Sequence, residues 1–73
     1  MKNAIEKLIK EYEIKIDNEE KKLSAIKKEN STARRNGDEK TMFIMTEERQ
    51  IADARRQAYV QAKADINSLF DYL

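Results

Sequence analysis

Three carboxylates on one predicted helix, Glu47, Glu48 and Asp53, are the residues that come nearest to a chemical site. Di-iron proteins use such carboxylates, but they combine them with a Glu-x-x-His motif, and this sequence contains no histidine. A catalytic carboxylate pair also needs a cleft, which two helices alone do not provide. Cysteine is absent and glycine occurs once, which argues against thiolate chemistry, the usual zinc sites and a glycine-rich phosphate loop. The sequence therefore predicts a protein that is not an enzyme and uses no metal or cofactor.

The only glycine lies in Asn36-Gly37-Asp38, at the middle of the 73 residues, and the chain has no proline. Gly37 suits the left-handed conformation that often ends a helix, and Asp38 is a favourable N-cap for a following helix. The flanking residues have helical rather than alternating periodicity. We therefore predict a single all-α domain, an antiparallel two-helix hairpin with helices over about residues 2–35 and 39–72 and a turn at 36–38.

The first helix carries a heptad repeat, which is typical of a coiled coil. One seam position is occupied by Ile9, Ile16, Leu23 and Asn30, and the other by Ile5, Tyr12, Glu19, Ile26 and Ala33. The seam asparagine has two interpretations. It is either a device that fixes the register, or the start of fraying before the turn, since Asn30, Ser31 and Thr32 favour local backbone hydrogen bonds.

The second helix has one broad apolar stripe, wider than a single neighbouring helix can cover. That excess width predicts a homodimer, with the two hairpins forming an antiparallel four-helix arrangement. Its members include Ile44, Met45, Ile51, Ala52, Ala58, Tyr59, Ala62, Ile66 and Leu69.

Folding the chain at Gly37 pairs the two stripes and places Leu23 opposite Ile51. The same pairing places Glu19, a charge within the first stripe, opposite Arg55, a charge within the second. We therefore predict an ion pair between Glu19 and Arg55 across the hairpin. Its expected use is to fix the register of the two helices.

Two apolar residues close to the turn are candidates for partner binding. Met42 and Phe43 fall outside the predicted seam, and an exposed phenylalanine at this place could dock on another protein. The alternative is that both side chains are buried in the dimer.

Residues 21–36 carry six basic side chains against one acidic side chain, a net charge of about +5. Lys27, Lys28, Arg34 and Arg35 are the candidate residues for binding phosphate or nucleic acid. The alternative is a solvated basic face, and it is favoured because the formal net charge of the whole chain is only +1.

Charged residues and hydrophobic residues each make up 40% of the chain, a balance that is typical of a folded helical protein rather than a disordered tail. No apolar run approaches the roughly 18 residues of a membrane-spanning helix, and the first residues have no apolar signal core. These patterns predict a cytoplasmic protein.

The layout, a Lys/Glu-rich first helix, an Asn36-Gly37-Asp38 turn and a second helix, resembles small accessory proteins of bacteriophages and mobile elements in Gram-positive bacteria. The resemblance covers the full chain and implies a helical hairpin that binds a host protein, as inhibitors of host defence do. We therefore expect a self-associating protein–protein interaction module, of the type that inhibits a host protein or nucleoprotein complex. The alternative is a nucleic-acid-binding accessory protein that uses residues 21–36.

Overall fold

Two long helices form the part of the chain that the computed structural model describes, residues 2–72 without the side chains of Lys2 and Phe70. Helix α1 spans Lys2–Asn36 and helix α2 spans Glu39–Phe70. The helices pack along each other in a rod that is 55 Å long and 14 by 11 Å across. The predicted helical hairpin is thus confirmed, with α2 ending at Phe70 rather than at about residue 72.

The turn between the helices satisfies the backbone groups of both helix ends. Gly37 has a φ of 67°, the left-handed conformation. The Asp38 N–H donates to the Ala33 carbonyl at 2.8 Å and the Gly37 N–H to the Arg34 carbonyl at 3.3 Å, which is a Schellman motif. The hydroxyl and the backbone N–H of Thr41 donate to the Asp38 carboxylate at 2.6 and 3.1 Å. These two hydrogen bonds hold the pKa of Asp38 below its ordinary value and make this residue the N-cap of α2.

Replacing Gly37 by alanine should lower the free energy of unfolding by about 1–2 kcal/mol, because an L side chain is strained at this φ. An added Cβ would meet nothing within 4 Å, so the whole cost lies in the backbone. Gly37→Asn should cost less, since asparagine tolerates the left-handed conformation better. Urea unfolding followed by circular dichroism measures both variants. An alanine variant as stable as the parent would show that the positive φ is not required in solution.

The residues of α1 that face α2 follow the predicted heptad. The buried or half-buried ones are spaced alternately by four and three positions: Ile5, Ile9, Tyr12, Ile16, Glu19, Leu23, Ile26, Asn30 and Ala33. This confirms the α1 seam at every position. Because α1 stays helical to Asn36 with Asn30 on the seam, the structure does not show the fraying that was the alternative.

The residues of α2 that face α1 differ from the prediction. The buried or half-buried residues that keep a heptad step are Met42, Met45, Ala52, Arg56, Tyr59, Lys63 and Ile66. Ile51, which was predicted to pack against Leu23, is 53% exposed. The apolar stripe of α2 is wide enough to contain two neighbouring seams, and the hairpin uses the one through Ala52 and Tyr59.

A group of side-chain contacts joins the two helices about two-thirds of the way from the turn to the open end of the rod. The rings of Tyr12 and Tyr59 lie with centroids 6.1 Å apart and planes inclined by 53°. The Lys15 ammonium lies 5.2 and 5.6 Å from these two centroids, which adds a cation–π contact with each ring. Beside them Lys63 of α2 and Glu13 of α1 form an ion pair at 3.2 Å. Together these contacts hold the two helices in one register.

Candidate interaction surface

Glu19 is a buried carboxylate on the α1 seam and is only 5% exposed. Its Oε1 lies 3.6 Å from the ammonium of Lys22, one turn further along the same helix. Its Oε2 is buried and has no hydrogen-bond partner among the residues that the structure describes. Among the described side chains no ion pair joins Glu19 to Arg55, so the structure does not show the predicted cross-helix pair, although both residues border one open cleft between the helices.

The seam of α2 lies one residue further along the chain than the sequence predicts. Counted outward from the turn in heptad steps, the seam position level with Glu19 is Arg56 rather than Arg55. Arg56 is half-buried, and its Nε lies 3.7 Å from a carboxylate oxygen of Asp53 on its own helix. By this count the polar positions of the two seams are level with each other, but the ion pair that each charge forms lies within its own helix.

Beside the seam, α2 carries a second apolar surface that α1 does not cover. This surface, called here the α2 apolar face, consists of Ile44, Ile51, Ala58, Ala62 and Leu69. Its large members are exposed, with 53% of Ile51 and 64% of Leu69 accessible to solvent. Three charged residues, Glu48, Arg55 and Asp65, lie along the same line of the helix.

An open cleft of about 420 Å³ lies where the α2 apolar face meets α1. Its apolar lining consists of Ala25, Ile26, Ile51 and Ala52. The charged groups of the lining are Glu19, Lys22 and Glu29 from α1 and Glu48 and Arg55 from α2. An apolar side chain of a partner could fill the cleft, with charged groups around its rim.

Met42 and Phe43, the apolar candidates near the turn, have different surroundings. Met42 is half-buried at a seam position, contrary to the expectation that it falls outside the seam. Phe43 is 65% exposed on the outer side of α2. Of these two candidates, only Phe43 is thus exposed to a partner of the hairpin.

The basic candidates are all exposed near the turn end of α1. Lys27, Lys28 and Arg35 surround a shallow hollow together with the hydroxyls of Ser31 and Thr32. The Thr32 hydroxyl is engaged, because it donates to the Lys28 carbonyl at 3.1 Å. Arg34, the fourth candidate, does not line this hollow. The structure therefore brings three of the four basic residues together.

The three carboxylates of α2 do not form one cluster. Asp53 accepts a hydrogen bond from Gln57 at 3.3 Å and pairs with Arg56, whereas Glu48 borders the cleft. Among the described residues there is no group of three or more side chains arranged to hold a metal ion.

The α2 apolar face was part of the predicted stripe, but its separate status was missed. The signal is a second heptad step, in which Ile44, Ile51 and Ala58 are seven residues apart and Ala62 and Leu69 are also seven apart. A seven-residue repeat beside the one used by the hairpin indicates a helix with two apolar seams.

The fold is an antiparallel helical hairpin in which α1 covers only one of the two apolar seams of α2. Comparisons with protein-family models, with curated proteins and with solved structures find no match to this chain. Neither described helix is long and apolar enough to cross a membrane. The case for a function therefore comes from the surface of the hairpin itself.

Proposed function

We propose that the chain is a non-catalytic protein–protein interaction module that works as a self-associated helical hairpin. The observation that carries this proposal is the α2 apolar face, on which Ile51 and Leu69 are more than half exposed beside an open cleft. Contiguous exposed apolar surface of this kind typically marks a protein-binding site.

The size of the hairpin core supports the same proposal. The buried apolar residues of the described chain are Ala33, Met45 and Ala52, two of which are alanines. A chain of this length with so small a core usually needs a disulfide, a metal or a partner chain for stability. With no cysteine and no histidine, a partner chain is the means of stabilisation that fits this composition.

Self-association is tested by light scattering and sedimentation equilibrium over a wide range of protein concentration. We expect the mass of two chains at high concentration and dissociation on dilution. Ile51→Lys should shift the equilibrium to the monomer, because a charged side chain within the contact would lose its hydration. Circular dichroism at the same concentrations measures how much helix the monomer keeps, since Ile51 lies outside the hairpin seam but the dimer adds to the stability of the hairpin.

Ile14→Lys is the matched control for this experiment. Ile14 is 61% exposed on α1, so the same substitution there should leave the association unchanged. A parent protein that keeps the mass of one chain at every concentration would contradict the proposal, and so would equal effects of the two substitutions.

Binding of a host protein, which the resemblance to bacteriophage accessory proteins implies, extends this proposal. Phe43, exposed near the turn and away from the α2 apolar face, is the side chain best placed for it. A pull-down from lysate treated with nuclease should retain such a protein and should lose it with Phe43→Ala.

Nucleic-acid binding is the second candidate function. The grouping of Lys27, Lys28 and Arg35 around one hollow favours it. A mobility shift that weakens steeply with salt and disappears when these residues are neutralised would support it. Binding that is insensitive to salt, or no shift at all, would exclude this use of the basic stretch.

A further inference from the structure

The α2 apolar face and the charges beside it form one continuous coiled-coil line. Its positions alternate in steps of four and three: Ile44, Glu48, Ile51, Arg55, Ala58, Ala62, Asp65 and Leu69. All of these residues are exposed except Ala62, which is half-buried. A line with this spacing is suited to packing against a second helix with the same spacing.

The order of residues on this line is complementary to itself when reversed. Outward from the point between Ala58 and Ala62, the line has Arg55 on one side and Asp65 on the other, followed by Ile51 and Leu69. In an antiparallel pair of identical helices each residue meets its counterpart on the opposite side of that point. The basic residue would therefore meet the acidic residue of the other copy, and apolar residues would meet apolar residues.

We propose that the α2 apolar face binds the same face of a second copy of this chain, antiparallel, about a two-fold axis between Ala58 and Ala62. Arg55 then faces Asp65 of the second copy, and Ile51 faces Leu69 of the second copy, with each contact made twice. This assignment rests on the proposed self-association and adds its orientation and register.

The contacts of the single hairpin leave these groups available. Arg55 forms no ion pair among the described side chains, and Asp65 accepts one hydrogen bond, from Gln61 at 2.9 Å. The small side chains at 58 and 62 let the two helix axes approach closely at the centre of the contact. The open cleft beside Ile51 has room for the leucine that this register brings to it.

A competing register differs by one heptad and has a distinct charge pattern. It would overlap the two helices further and would cover Ile44, which the proposed register leaves outside the overlap. It would also place Glu48 against Asp65 of the second copy and Arg55 against alanine. Two like-charge contacts at a partly desolvated interface oppose association, so the charges favour the proposed register.

The test uses reversed charges in the full-length chain. In the proposed register Arg55→Asp creates two contacts between acidic groups, and Asp65→Arg creates two between basic groups. Each single variant should dimerise about 100-fold more weakly than the parent. An equimolar mixture of the two variants should form a heterodimer, because both contacts then join unlike charges. The double variant should regain the affinity of the parent to within about tenfold.

Lys7→Asp, at an exposed position of α1, reverses a charge outside this surface and should leave the affinity unchanged. Tighter association of Asp65→Arg would indicate the competing register, since arginine would then face Glu48. A dimeric parent whose variants neither weaken nor form a heterodimer would overturn the proposed register and leave self-association standing. A parent that is monomeric at every concentration would overturn both proposals.

Discussion

Truncation of Met45 to alanine should lower the free energy of unfolding by about 2 kcal/mol. Met45 is 8% exposed and is the one long side chain among the buried apolar residues, the others being Ala33 and Ala52. We expect the low end of the usual range for such truncations, because two helices can move together and close part of the cavity. The stability of a small domain is only a few kcal/mol, so this loss is a large part of the total.

The measurement is urea unfolding at one fixed protein concentration, because association contributes to apparent stability. Ile14→Ala is the matched control, since it truncates an apolar side chain that is 61% exposed, and it should change stability by less than about 0.5 kcal/mol. Equal effects of the two substitutions would show that Met45 is not buried in solution.

Glu19→Leu should raise the free energy of unfolding by about 1–2 kcal/mol. The carboxylate lies on the apolar seam, with Lys22 at 3.6 Å and one oxygen without a partner in the described part of the chain. A buried polar group that lacks a partner destabilises the folded state. Leucine is close in size to glutamate and extends the heptad between Ile16 and Leu23, so apolar contacts replace the charge.

Glu20→Leu provides the control, because the neighbouring residue is exposed and the chemical change is the same. This variant should remain within about 0.5 kcal/mol of the parent. A loss of stability in Glu19→Leu would mean that the carboxylate has a stabilising partner in solution, for which Arg56 on the opposite seam would be the first candidate.

The seam of α1 could be predicted residue by residue because α1 has a single apolar stripe. Almost every position outside its heptad is charged or polar, so only one rotation of the helix buries four of its five isoleucines and leaves Ile14 exposed. Even Glu19 and Asn30 were assigned correctly to the seam, since the heptad step continues through them.

The orientation of α2 could not be predicted in the same way. Its apolar residues cover two neighbouring seams, and their average direction lies between the two. Rotating α2 so that its seam moves by one residue puts Arg56 on the seam in place of Arg55. The ion pair predicted for Glu19 required Arg55 at that position. The pattern alone does not decide which seam belongs to the hairpin, because both have the same period.

The candidate site was harder to predict than the fold for a related reason. The excess width of the α2 stripe indicated that an apolar surface would remain, and the structure locates that surface on Ile44, Ile51 and Leu69. Met42, by contrast, was assigned to the surface and is half-buried, because the same rotation brings it onto the seam. For exposed residues such as Lys27 and Phe43, the sequence pattern does not indicate whether the side chain binds a partner, because they do not belong to a seam.

The turn at Gly37 also sets the order in which the hairpin assembles. Contacts next to the turn close a loop of a few residues, whereas contacts near the far end of the rod enclose most of the chain, and the entropy cost of closure rises with loop length. Folding should therefore start at the capped turn and proceed outward along the seam. Substitutions at Gly37 would then mainly slow folding, while substitutions at Ile9 or Ile66 would mainly speed unfolding.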